Sequence, residues 1–261
     1  MKTVSVRHTK RVALVTNARG YAGPPAATAL ASAGWDVFVH DESFASAEVR
    51  AGYERNNPGQ YAAVEQDAAA FVGAGLDRFG RIDTIISNDM PRGMKSVVGH
   101  LSTKSFAEVS DLLADFEVYL DSLVAEPVRL LRAALPAMKA ARSGSVVLIT
   151  SGAPLRLGIG GPHGYAAARS AVNTFAKSLA IELAPYAIQV NAVAPFFLYS
   201  STSFPSDIGA EDPQYGQLIK QLVPMGRFGT PEEIGALIVH LTSGEMSFVS
   251  GQVIAFSGAG C

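Results

Sequence analysis

Short apolar runs alternate with longer amphipathic stretches along the whole chain. The runs fall at 12–16, 35–40, 60–64, 82–87, 145–150, 188–194 and 252–256. Consecutive positions within them are apolar, the pattern of strands buried on both faces. Between them, 23–33, 45–56, 67–79, 105–141, 163–184 and 231–243 carry helical spacing. This alternation predicts a doubly wound α/β fold, with a parallel sheet covered by helices on each side. Sites in such sheets gather at the carboxyl ends of the strands. Thr16, Asn88, Ser151 and Pro195 all fall at predicted strand ends.

Composition narrows this picture. With 261 residues, 48% hydrophobic and 17% charged, the chain suits one α/β domain over 11–261. Residues 1–10 are basic and polar without an apolar segment, and are expected to be a disordered lead rather than a signal peptide. A net charge of −2 and short basic clusters argue against a nucleic-acid partner. The apolar runs are too short to span a membrane. The only cysteine, Cys261, has no partner for an internal bridge, which fits a reducing, cytoplasmic setting.

The most informative pair is Tyr165 and Arg169, four residues apart on a predicted helix and therefore on one face of it. At about 5 Å and an effective dielectric of about 20, cation and phenolate attract by roughly 3 kcal/mol. The pair is thus a candidate general base for a hydroxyl proton. Upstream, the strand Ser145–Thr150 ends in Ser151-Gly152. A hydroxyl at a strand end, followed by Tyr-x-x-x-Lys on a helix, is the arrangement of the short-chain dehydrogenase/reductases, which this chain resembles with Arg in place of Lys.

The first strand-to-helix turn departs from those reductases. A dinucleotide needs small residues and free backbone N–H groups there. Reductases carry Thr-Gly-x-x-x-Gly-x-Gly, whereas this chain has Thr16-Asn17-Ala18-Arg19-Gly20-Tyr21-Ala22-Gly23, followed by Pro24 and Pro25. Proline offers no donor. Asp41 sits where an acidic residue would hold a ribose, but it also suits a helix cap with Ser43.

Together these features resemble the halohydrin dehalogenases, relatives of the reductases that have lost the cofactor. Thr16, Tyr21 and Gly23 match that family's first motif, and Ser151, Tyr165 and Arg169 match its second. The likeness runs from residue 11 to the end. It implies a Rossmann-like fold with no nucleotide cofactor and no metal, and conversion of vicinal halohydrins to epoxides with release of halide and a proton. In reverse, small anions (halide, azide, cyanide, nitrite) open epoxides. By the same resemblance Tyr165 is the base, Arg169 stabilises its phenolate, and Ser151 positions the substrate oxygen. Halide would meet Tyr21, Pro195 and Phe196 as walls and the N–H groups of Phe197 and Leu198 as donors. That family often has Asn where Phe196 stands. Asn88, Met90, Pro91, Ala153 and Leu157 are the expected pocket walls, with 200–222 as a lid-like segment.

Ser151 and Tyr165 are 14 positions apart, one more than is usual in that family, so the loop 158–162 is expected to bulge and widen the pocket. His163 reads as an exposed residue at a helix start. Thr150 is directed to the opposite face by strand alternation. Apolar positions on 105–141 (Leu112, Leu113, Phe116, Tyr119, Leu120, Leu123) and on 163–184 (Val172, Phe175, Leu179, Leu183) exceed what one sheet contact needs. The resemblance makes them a four-helix interface of a homotetramer, and internal burial is the alternative. Two other functional readings stay open. One is a nucleotide-dependent reductase using Gly20 and Gly23, with Arg19 on a phosphate; the other is a non-catalytic scaffold.

Overall fold

The computed structural model describes residues 10–91, 112–156, 163–200 and 216–261. The lead 1–9, Leu157, the loop 158–162 and the stretch 201–215 of the lid-like segment lie outside the described residues. Seven strands form one sheet: β1 (Val12–Val15), β2 (Asp36–Val39), β3 (Gln60–Ala62), β4 (Thr84–Ser87), β5 (Gly144–Ile149), β6 (Ile188–Pro195) and β7 (Val253–Phe256). Every pairing is parallel, in the order β3-β2-β1-β4-β5-β6-β7. The winding direction reverses between β1 and β4, which opens a crevice beyond their carboxyl ends.

Helices α1 (Gly23–Ser32), α2 (Ala47–Asn56), α3 (Ala68–Phe79), α4 (Leu112–Leu120), α5 (Glu126–Ala141), α6 (His163–Leu183), α7 (Gly216–Leu222) and α8 (Pro231–Thr242) complete the described elements. Strand alternation divides the core into two layers. Val12 and Leu14 of β1 pack with Leu130, Met138, Val172 and Leu183, from α5 and α6. Ala13 and Val15 pack with Ala26, Leu30, Ile234 and Ile238, from α1 and α8. Each fully buried Leu or Ile contributes about 1.5–3 kcal/mol relative to exposure. No helix among the described residues is long and apolar enough to cross a membrane.

The expected helix 105–141 is not continuous. A π turn, Asp121–Ala125, separates α4 from α5, and the amide of Glu126 reaches five residues back to the carbonyl of Asp121. Pro127 follows at the start of α5 and cannot donate the regular bond to residue 123. The widened turn carries Leu123 into a cluster with Tyr119, Tyr165 and Ala168. Tyr119, Leu123, Val172, Leu179 and Leu183 are therefore buried within the chain, while Val118, Leu120, Val128 and Ile181 stay exposed. A second difference is α7, inside the segment read as a lid; Ile219 and Val223 pack with Phe197 and Phe228.

The turn between β1 and α1 is close-packed around Gly23. A Cβ there would lie 2.3 Å from the carbonyl oxygen of Asn17 and 2.9 Å from the amide nitrogen of Asn88. Gly23→Ala is expected to destabilise by about 1–3 kcal/mol through overpacking. By contrast, Gly73→Ala on α3, where a Cβ meets nothing within 4 Å, should gain up to about 1 kcal/mol of helix propensity. Thermal melts of the two variants check this; equal melting temperatures would contradict it.

Candidate active site

Ser151, Tyr165 and Arg169 converge at the carboxyl end of β5. The i, i+4 spacing on α6 places the Arg169 guanidinium 5.2 Å from the centre of the Tyr165 ring. Arg169 is 1% exposed, and a guanidinium removed from water needs acceptors. Its Nη1 donates to the carbonyl of Ile149 at 2.9 Å, and its Nη2 to the carbonyl of Asp89 at 2.8 Å. The charge is thereby fixed between the ends of β4 and β5. Its Nε is buried and meets no acceptor among the described residues. The Tyr165 ring packs edge-to-face with Tyr119, centroids 5.9 Å apart, and against Ala153. The hydroxyl of Ser151 accepts from the amide of Ala153 at 3.1 Å, which holds the serine at the start of the loop.

The predicted anion site lies against this group. The Pro195 carbonyl accepts the amide of Gly152 at 2.9 Å and the Tyr21 hydroxyl at 3.4 Å. Burial raises the pKa of the Tyr21 phenol, the nearby Tyr165 adds to the rise, and Arg169 opposes it. Tyr21 thus stays a neutral donor lying close to both. Phe197 has a φ of 56°, a left-handed kink that ends β6. Kinks of this kind turn backbone N–H groups toward one concavity. The amide of Phe196 is engaged by the carbonyl of Phe256 at 3.0 Å.

The other predicted residues divide between lining and support. Met90 reaches Arg169 through its sulfur at 3.9 Å, and Pro91 is buried beyond it. Asn88 is fully buried; its side-chain amide donates to the carbonyls of Asn17 at 3.0 Å and Gly20 at 2.8 Å, so it braces the turn from behind. Leu157 lies outside the described residues. His163 is exposed at the start of α6. Thr150 is fully buried, with its hydroxyl on the carbonyl of Val193.

Asp89 follows Asn88 just beyond β4 and was not among the expected site residues. It accepts hydrogen bonds from Ser87 and, at 3.3 Å, from Thr16. It opens onto a cavity of about 430 Å³ whose acidic lining is Glu42, Asp67, Asp89 and Glu126, with His40 and Gln66 beside them and no Lys or Arg among the described residues. Burial pushes Asp89 up to about 6, outweighing the bonds from Ser87 and Thr16 and the attraction of Arg169. Burial also lowers the pKa of His40, which favours its neutral form.

The turn from Thr16 to Gly23 does not fit a dinucleotide. The amides of Ala18, Gly20 and Gly23 are engaged by the carbonyls of His40, Asn17 and Gly20, and that of Arg19 by Asp41. Pro24 and Pro25 open α1 and have no N–H to give. Asp41 caps the short helix Glu42–Ala45 by accepting from Ser43, and Arg19 donates to the Ser43 hydroxyl at 2.8 Å. Among the described residues, the carboxylates of the cavity along the same crevice disfavour a pyrophosphate.

A family model described as enoyl-(acyl carrier protein) reductase matches residues 17–258. Trans-4-hydroxycyclohexanecarboxylate dehydrogenase of Sinomonas cyclohexanicum is 31% identical over 99% of this chain and 95% of its own length. A 3-oxoacyl-(acyl-carrier-protein) reductase of Synechocystis is 30% identical over 96% of each chain. Among solved structures, a protein titled dehalogenation enzyme superposes with a TM-score of 0.85 at 32% identity, covering 97% of this chain and 98% of its own. A halohydrin dehalogenase bound to ethyl (2S)-oxiran-2-ylacetate gives 0.86 at 27% identity, over 95% and 96%.

The raised pKa of Asp89 fixes a sign for stability against pH. The folded state holds this proton more tightly than the unfolded chain, so the contribution is present below about pH 4 and is lost as pH rises to about 6. Asp89→Asn removes that loss. Its stability relative to the parent chain should increase by roughly 3 kcal/mol between those limits. Melting curves at pH 4 and pH 7 read the difference, and a gap independent of pH would contradict the assignment.

Proposed function

The chain belongs to the short-chain dehydrogenase/reductase family, and from that premise we propose that it catalyses the cofactor-independent dehalogenation of vicinal halohydrins. The observation that carries this reading is Tyr21, set on Pro195 beside a retained Ser-Tyr-Arg group, in a turn where the amides of Ala18, Arg19, Gly20 and Gly23 are already engaged. The two dehalogenase structures support it through overall likeness.

In this reading the substrate hydroxyl lies between Ser151 and Tyr165. The Ser151 hydroxyl donates to the substrate oxygen and positions it. The phenolate of Tyr165 takes the hydroxyl proton, and Arg169 attracts the negative charge on that phenolate. The substrate alkoxide attacks the adjacent carbon from the side opposite the halogen. A C–O bond forms, the carbon–halogen bond breaks, and the halide leaves with the bonding pair. The departing anion needs donors, because an unsolvated halide is costly in an apolar setting. The backbone at Phe197 and Leu198 supplies them, walled by Tyr21, Pro195 and Phe196. Run in reverse, neutral Tyr165 protonates the epoxide oxygen as a halide, azide, cyanide or nitrite ion opens the ring. The exposed Val118, Leu120, Val128 and Ile181 on α4, α5 and α6 support self-association through those helices.

Tyr165→Phe should lower proton release from a short vicinal bromohydrin by at least about a hundredfold while leaving the melt unchanged. Turnover persisting in that variant would exclude Tyr165 as the base. NADPH should leave the melting temperature of the parent chain unchanged; a saturable rise would favour the reductase reading.

A further inference from the structure

We propose that the turn Ser257–Cys261, tied down by Arg156, forms a wall of the reaction site and sets how large a group a substrate can carry past Gly152. This inference rests on the function proposed above. Gly258 and Ala259 have φ of 55° and 67°, consecutive left-handed residues that turn the backbone after β7. The amide of Gly260 closes the turn on the carbonyl of Ser257 at 2.9 Å. Arg156 lies in the loop that follows Ser151. Its Nη1 donates to the carbonyl of Gly260 at 2.9 Å and also to that of Leu222 at the end of α7. One guanidinium therefore links the serine loop, α7 and the turn.

Two glycines show how closely these parts meet. A Cβ on Gly152 would lie 2.7 Å from Cβ of Phe196 and 3.0 Å from Sγ of Cys261. A Cβ on Gly260 would lie 2.8 Å from Cδ1 of Phe196. The Phe196 side chain thus sits in a slot with a glycine on either side, its ring edge-to-face with Phe197 at 4.5 Å. The Cys261 sulfur stands beside Gly152, the residue directly after the site serine. Cys261 is exposed, so its outer face is open to an incoming molecule. Phe196 and Cys261 together limit the space beside Ser151, and a change of volume at residue 261 alters it directly.

The test compares kcat/KM of the full chain for a short and a bulky bromohydrin. Cys261→Trp is expected to lower the bulky-to-short ratio by about tenfold, and Cys261→Ala to raise it a few-fold. Cys261 is the only cysteine, so alkylation by iodoacetamide should shift the ratio in the same direction as Trp. Arg156→Gln, which releases the turn, should relax the ratio through KM rather than kcat, and Arg156→Lys should restore part of it. Ratios within about twofold of the parent in both Cys261 variants would overturn this inference alone. A parent chain that turns over neither bromohydrin would overturn the proposed function on which it rests.

Discussion

A guanidinium buried to 1% exposure organises the site. Arg169 cannot lose its charge, and burial without acceptors would cost several kcal/mol. The acceptors it uses are backbone carbonyls at the ends of β4 and β5. That choice fixes the register of α6 against the sheet, and hence the position of the Tyr165 ring one turn away. Ser151 follows the same strand end, so one ionic requirement sets the relative positions of all three side chains.

The first turn shows the same economy in reverse. In a nucleotide site the backbone amides at a helix start stay open for phosphate. Here protein carbonyls and Asp41 engage the amides of Ala18, Arg19, Gly20 and Gly23, and Asn88 clamps the carbonyl side. Packing alone requires Gly23, because a Cβ would strike the backbone of Asn17. Among the described residues, the carboxylates that line the cavity beside Asp89 disfavour a polyanion there.

Between these two ends lie the buried Tyr21 and Tyr165 phenols, Ser151 and the fixed Arg169 cation. Tyr165 is close enough to Tyr21 to add to the rise in the Tyr21 pKa. Burial holds Tyr21 neutral, and Arg169 lies beside the Tyr165 ring.

The seven strands, the parallel sheet and the Ser151, Tyr165 and Arg169 group were legible in the sequence. Apolar periodicity and i, i+4 spacing are local properties, which the chain carries wherever it folds. The loss of the glycine turn was equally plain, since Tyr21, Pro24 and Pro25 replace small donors by bulk and by residues without N–H. The π turn was not: 105–141 carries helical spacing throughout, and a proline one turn into a helix fits several geometries. Asp89, Arg156 and Cys261 gained their places only from tertiary structure. Arg169 meets the carbonyl of Asp89 across 80 positions of sequence, and Arg156 meets Gly260 across 104. Contacts of that span come from the order in which strands stack, and no local pattern encodes which distant carbonyl a buried cation will find.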